Sequence, residues 1–315
     1  MTQSKPPVLF IMGATACGKT DLAIELAQTG QFEIISVDSA MIYRGMDIGT
    51  AKPDSCVLRD APHHLINIRN PDESYSVAEF CADANRLIDA IHARGKVPLL
   101  VGGTIMYFNA LQHGLSELPA ANPQLRAHLD QQAEQLGWQQ MHEKLVAIDP
   151  PSAAKIHPND AQRIQRALEV YELTQRPLSS FHTTSKSVRS DINVINFGLF
   201  PQDRSQLHAR IASRFEVMLA EGVLEELADL RKKWILTLDM PSMRCIGYRQ
   251  MWNFLEHRVS HNEMQDQAVA ATRQLAKRQL TWLRHYPKTT LLDPYACDST
   301  SLCEQINRQI APTRC

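Results

Sequence analysis

Short, uniformly apolar runs alternate with stretches of helical period through the first third of the chain. Val8–Met12 (VLFIM) ends at Gly13 and predicts a buried strand. Asp21–Gln28 repeats its apolar residues at helical spacing, and Glu33–Val37 (EIISV) predicts a second strand that stops at Asp38. Ser76–Ala93 is again helical, and Val97–Val101 (VPLLV) is a third strand ended by Gly102 and Gly103. Strands alternating with helices imply a parallel sheet covered on its faces.

The alternation breaks after Leu118. Residues 119–193 carry helical patterns punctuated by prolines (Pro119, Pro123, Pro150, Pro151, Pro158, Pro177) and no convincing strand. A strand pattern returns at Val194–Phe200 (VINFGLF). Long helices at Ser205–Leu219 and Met264–Tyr286 and a short strand at Thr290–Leu292 follow. The expected fold is α/β, an α/β core of residues 1–118 and 194–315 interrupted by a helical insertion domain at 119–193.

Composition narrows the class. With 44% hydrophobic and 21% charged residues, the chain can bury a core and is not disordered. Its 33 Lys and Arg against 34 Asp and Glu leave a net charge of −1, which identifies no partner. The distribution is more telling: residues 1–119 are net acidic and residues 201–290 net basic, a hint of a polyanionic partner. Seven cysteines without a CxxC, and histidines without metal-ligand spacing, give no expectation of zinc and point to a reducing compartment. The N-terminus lacks an apolar signal core and no stretch approaches about 18 apolar residues, so a soluble cytoplasmic monomer is expected.

Gly13–Thr20 reads GATACGKT and matches G-x-x-x-x-G-K-[ST] between a predicted strand and a predicted helix. This makes the fold a P-loop-type sheet. Gly13, Ala14, Thr15, Ala16, Cys17, Gly18, Lys19 and Thr20 are expected to wrap a di- or triphosphate. Backbone N–H groups converge on its oxygens, Lys19 adds a full charge, and Thr20 offers a hydroxyl to Mg²⁺, the one cofactor expected. Beside Lys19 and a helix N-terminus, the Cys17 thiol is expected to be acidified and reactive; the alternative is a small, inert, buried side chain. Nucleotide hydrolysis usually needs an acid closing a further strand, yet VPLLV runs into Gly102-Gly103-Thr104. The acid at a strand end is Asp38.

Six segments in order then carry a family resemblance: GATACGKT, SVDSAMIYRGMDIGTAKP, LLVGGTIMYF, HPNDAQRIQRALEVYE, MRCIGYRQMW and TRQLAKRQLTWLR, together spanning residues 13–284. The set resembles the tRNA dimethylallyltransferases. The resemblance implies transfer of a dimethylallyl group from dimethylallyl diphosphate to the exocyclic amine of the adenosine immediately 3′ of the anticodon. Asp38 would then be the base, Thr104 an active-site hydroxyl, and Arg214 a diphosphate ligand. Each has a plainer reading: Asp38 as a turn cap or Mg²⁺ ligand, Thr104 as a helix N-cap, Arg214 as a surface Arg with Arg210 its competitor.

The resemblance also implies a tRNA surface. It comprises Asp38, Ser39, Ala40, Met41 and Thr104 at the strand ends, and Arg126 with Gln162, Ile164, Gln165 and the cations Arg163 and Arg166 in the insertion. Arg244, Cys245, Ile246, Gly247, Tyr248 and Arg249 form a further segment, in which Tyr248 either stacks on a base or is core. Arg273, Lys277 and Arg284 fall on one face of a helix, with Arg278 alongside. Gly102 and Gly103 would let a ligand approach closely. Two other readings remain: a P-loop small-molecule kinase, and a non-catalytic RNA-binding module.

Overall fold

A computed structural model describes residues 5–183 and 189–310. The chain forms two compact units, one running to Gln112 and resuming at Arg189, the other lying between them from His113. The borders fall some residues ahead of the 119–193 read from the sequence, because the helix Ile105–His113 ends the first part of the larger unit and Arg189 already pairs with Asp89 there.

The larger unit is built on six parallel strands: β1 (Pro7–Gly13), β2 (Phe32–Val37), β3 (His63–His64), β4 (Val97–Gly102), β5 (Asn193–Leu199) and β6 (Thr289–Leu292). Their order across the sheet is β3-β2-β4-β1-β5-β6. Buried on both faces, β1 and β4 read as unbroken apolar runs rather than alternating ones, and β2 departs from that only at Glu33 and Ser36. The neighbours β1 and β4 send the chain in opposite directions, β1 to β2 and β4 to β5, so a crevice opens at their C-terminal ends.

Alternate residues of β1 serve two cores. Leu9 and Ile11 pack with Leu22 and Leu26 of helix Lys19–Gln28 and with Leu302, Ile306 and Ile310 of helix Ser299–Ile310. Val8, Phe10 and Met12 pack with Phe80, Ala84, Ile88 and Ile91 of helix Val77–Ala93. A third core joins Ile42, Tyr43 and Met46, which follow β2, to helices Arg204–Ala220, Val223–Lys233, Tyr248–Leu255 and His261–Arg284. The smaller unit has its own core of Leu129, Met141, Leu145, Ile164 and Leu168 from helices Pro123–Leu136, Trp138–Ile148 and Ala161–Thr174. No helix of the described residues is long and apolar enough to cross a membrane.

On β2, Glu33 gathers two cations, Arg94 at 2.5 Å and Lys96 at 3.4 Å, and the imidazole of His64 at 3.3 Å. The Arg94 hydrogen bonds, helped by His64 and Lys96 against the cost of burial, hold its carboxyl at about 2. A carboxyl whose folded pKa is depressed stabilises the fold above its unfolded value and loses that contribution as pH falls through the folded one. Glu33→Gln should therefore lower the urea midpoint at pH 7. The gap to wild type should close as pH falls from 4.5 to 2 in parallel titrations of the two proteins. A gap unchanged over that window contradicts the assignment.

Candidate active site

β1, β2 and β4 end side by side. In register, Met12 stands opposite Gly102 and Val37 opposite Gly102 on the other flank. The next residues, the phosphate loop, Asp38 and Thr104, emerge at one edge. They line a cleft of about 1260 Å³, which also receives Arg214, Arg244, Gly247 and Arg278.

The loop is shaped for an anion. Ala16 (φ 62°) and Gly18 (φ 88°) take left-handed backbone conformations, and helix Lys19–Gln28 starts without a side-chain cap. Among the described residues, the N–H groups of Cys17, Gly18, Lys19 and Thr20 donate to no protein acceptor. Successive free amides at a helix start form an anion nest. The Lys19 ammonium folds back onto the Ala14 carbonyl at 2.5 Å, over the loop. The Thr15 N–H is not available to a phosphate, because it donates to Gln279 Oε1 at 2.9 Å.

Asp38 both caps a turn and faces the cleft. Its Oδ1 accepts from the amides of Ala40 (2.8 Å) and Met41 (3.3 Å), while Oδ2 accepts no hydrogen bond among the described residues. Thr104 does not cap its helix through its side chain. Its Oγ1 accepts from the Ser39 amide at 3.1 Å, and its own amide donates to the Val37 carbonyl at 3.2 Å. Those bonds tie the residues after β2 to the residue after β4.

Arg214 rather than Arg210 is the cation left for a ligand. Arg210 donates to the Ala16 carbonyl at 3.0 Å and lies over the Tyr295 ring. Arg214 has no carboxylate within ion-pair distance among the described residues. Desolvation lowers its pKa, opposed first by the charge of Asp38 and then by Asp21, yet a guanidinium stays charged at any ordinary pH. Burial and the Asp38 charge push Cys245 up to about 12, and burial with the same charge pushes Tyr107 up to about 12, so both stay neutral.

Several sequence expectations change. Cys17 is 1% exposed and packs in the core beneath the loop, with Lys19 3.9 Å away, so it is the inert small side chain and not an accessible nucleophile. Gly102 and Gly103 both line the cleft, and on the side a Cβ would take each makes room for the protein's own chain. A Cβ on Gly102 would lie 2.0 Å from the Val37 carbonyl oxygen, and one on Gly103 would lie 2.4 Å from Gln279 Nε2. Tyr248 is core: it is fully buried and donates to Glu226 at 2.6 Å. Ile164 is likewise buried, in the core of the smaller unit.

In that unit Arg126 and Arg166 are committed to the fully buried Glu169, at 2.9 and 2.6 Å, and Gln165 donates to Asp130. Gln162 and Arg163 remain exposed at the helix start. In the larger unit Arg273, Lys277 and Arg284 are exposed along helix His261–Arg284, outside the cleft lining, and Arg249 is exposed with one bond to the Leu238 carbonyl.

Three anchors were missed. Glu226 accepts from the amides of Asp47, Ile48 and Gly49 at 2.8, 2.7 and 3.1 Å, as well as from Tyr248. Lys52, its side chain 2% exposed, binds the Tyr43 carbonyl, Asp47 and Asn67. Gln279 is the third. Its one signal is a polar residue inside the buried stripe Ala276, Leu280 and Leu283.

The comparisons fit this arrangement. The sequence model of the IPP transferase family matches residues 41–286. The chain belongs to that family. It is 52% identical to the tRNA dimethylallyltransferase of Thiobacillus denitrificans, covering 95% of this chain and 96% of that protein. It is 54% identical to that of Legionella pneumophila, over 91% of each. Among solved structures, the full-length tRNA isopentenylpyrophosphate transferase of Bacillus halodurans superposes with a TM-score of 0.71 at 38% identity, covering 98% and 97% of the two chains. A eukaryotic dimethylallyltransferase acting on tRNA gives a TM-score of 0.79 at 27% identity, over 98% of this chain and 80% of that one.

The two arginines of the smaller unit differ in a testable way. Arg126→Ala would leave the buried Glu169 with one guanidinium fewer and should cost about 1.5–3 kcal/mol in urea unfolding. Arg163→Ala removes an exposed side chain and should stay within about 0.5 kcal/mol of wild type. Equal losses would contradict the division between the cations that pair with a buried carboxylate and the exposed ones.

Proposed function

We propose that this IPP transferase moves a dimethylallyl group from dimethylallyl diphosphate to the N6 amine of the adenosine immediately 3′ of the anticodon in tRNA. The observation that supports it most is the meeting of Asp38 and Thr104 with a phosphate loop at one sheet edge, without the strand-end acid a phosphoryl transferase uses. The kinase reading is disfavoured for that reason, and the RNA-binding reading needs neither Asp38 nor Thr104.

In this reading the diphosphate lies on the free amides of Cys17, Gly18, Lys19 and Thr20, with the Lys19 and Arg214 charges on its oxygens. The adenine amine attacks the allylic carbon as the bond from that carbon to the diphosphate oxygen breaks. Its lone pair is delocalised into the ring, so a proton must leave as the new bond forms. Asp38 Oδ2 takes that proton, while Oδ1 keeps the turn. Thr104, held by the Ser39 amide, aligns the amine, and the electron pair of the broken bond departs on the diphosphate. Phe215, Met218 and Ile246 offer an apolar wall for the hydrocarbon tail.

The described residues hold no group of three or more His, Cys, Asp or Glu placed for a metal. An ion held by the Thr20 hydroxyl, substrate phosphate oxygens and water fits the habit of Mg²⁺, which needs few protein ligands. Mg²⁺ there would add to the stabilisation of charge on the departing diphosphate.

An anticodon-loop base must leave its stack to reach this edge, at a cost of a few kcal/mol. Phosphate contacts from Arg163, Arg273, Lys277 and Arg284 would offset that cost, with Arg244 and Arg278 nearer the cleft. A cytoplasmic monomer suits a tRNA substrate.

The test is incubation with labelled dimethylallyl diphosphate and an unmodified tRNA carrying adenosine 3′ of its anticodon. Label should enter that nucleotide without ATP; a product formed only with ATP supports the kinase instead. Lys277→Glu should weaken tRNA binding and flatten its salt dependence while the donor KM stays within twofold. An unchanged affinity and salt slope would remove that helix face from the interface.

A further inference from the structure

Gln279 connects parts of the site that lie far apart in sequence. It stands on helix His261–Arg284, 9% exposed, between Arg278 on the cleft and Leu280 in the core. Its Oε1 accepts the Thr15 N–H at 2.9 Å, and its Nε2 donates to the Gly103 carbonyl at 2.9 Å. One planar amide thus joins the phosphate loop after β1 to the turn after β4 that carries Thr104.

We propose that Gln279 is a positioning residue for the diphosphate site. It fixes the first turn of the phosphate loop against the end of β4, so that the amides from Cys17 to Thr20 are held open for an anion. The proposal deepens the transfer reading and rests on the loop being that reaction's diphosphate site.

The chemistry of the position supports this. The Thr15 amide needs an acceptor and the Gly103 carbonyl needs a donor, and an amide side chain of this length supplies both at once. A carboxylate would set an acceptor against the Gly103 carbonyl and place a negative charge beside the diphosphate. A hydrocarbon would leave both polar backbone groups without their protein partner. Gly103 fits the same account. Its Cβ would fall 2.4 Å from Gln279 Nε2, so a side chain there would force the amide off both partners. On the side a Cβ would take, the room at Gly103 is filled by Gln279.

A double-mutant cycle tests this, with affinity for inorganic diphosphate, measured calorimetrically without tRNA, as the first readout. Gln279→Ala and Gly103→Ala should each weaken diphosphate about tenfold, the loss of roughly 1.4 kcal/mol expected for one or two hydrogen bonds. The double variant should be no weaker than Gln279→Ala alone, because the two changes remove the same contact. In the transfer assay the donor KM should rise in proportion, with kcat within threefold and tRNA affinity within twofold. Gln279→Glu, which keeps shape and the acceptor for Thr15, should weaken diphosphate at least as much, and serves if an alanine variant fails to fold.

Unchanged diphosphate affinity in Gln279→Ala and Gln279→Glu overturns the proposal, as does a double variant about a hundredfold weaker. A wild-type protein that binds diphosphate but transfers no label would count against the transfer reading and leave the role of Gln279 to the binding data.

Discussion

The contact between the ends of β2 and β4 organises this protein. Val37 and Gly102 lie opposite one another, so close that a Cβ on Gly102 would meet the Val37 carbonyl oxygen at 2.0 Å. Because the strands are parallel and end together, the residues that follow them must emerge as neighbours. Asp38 and Thr104 are those residues, and the Ser39 amide on Thr104 Oγ1 locks them in place. The adjacent strand β1 brings the phosphate loop to the same edge. A carboxylate, a hydroxyl and an anion nest are therefore placed together by sheet geometry before any side chain is chosen for its chemistry.

In each unit, polar anchors hold irregular backbone that no sheet or helix ladder can satisfy. Glu226 collects three amides of the loop after β2, Gln279 joins the phosphate loop to the end of β4, and Glu169 holds Arg126, Arg166 and the Asn122 amide in the smaller unit. Buried polar groups persist only when paired, and pairing one side chain with several backbone groups gives a segment a single conformation.

The strands of the sheet core were legible because burial leaves short, mostly apolar runs that carry β-branched residues; β1, β2, β4 and β5 fall within a residue or two of their expected spans. The loop GATACGKT was legible because free amides on a turn before a helix demand small residues and a Lys. What escaped the sequence depends on partners distant along the chain. β3 is two residues long and carries no pattern. Helix Ser299–Ile310 is amphipathic, with Leu302, Ile306 and Ile310 inward, but no motif marks it. Arg126 and Arg166 look like RNA-binding cations until Glu169 is seen between them, and Tyr248 looks like a stacking ring until Glu226 takes its hydroxyl. A charge or a ring on a helix shows its type in the sequence; its partner is set by packing.

The central claim, that the open oxygen of Asp38 accepts the proton of the attacking amine, is tested most directly by the single-turnover rate of Asp38→Asn with tRNA and donor both saturating. Asn keeps an oxygen for the Ala40 and Met41 amides and so keeps the turn, but it cannot take a proton. The account predicts a rate lower by about 10²- to 10⁴-fold with tRNA affinity within threefold of wild type. A single-turnover rate within threefold of wild type would contradict it.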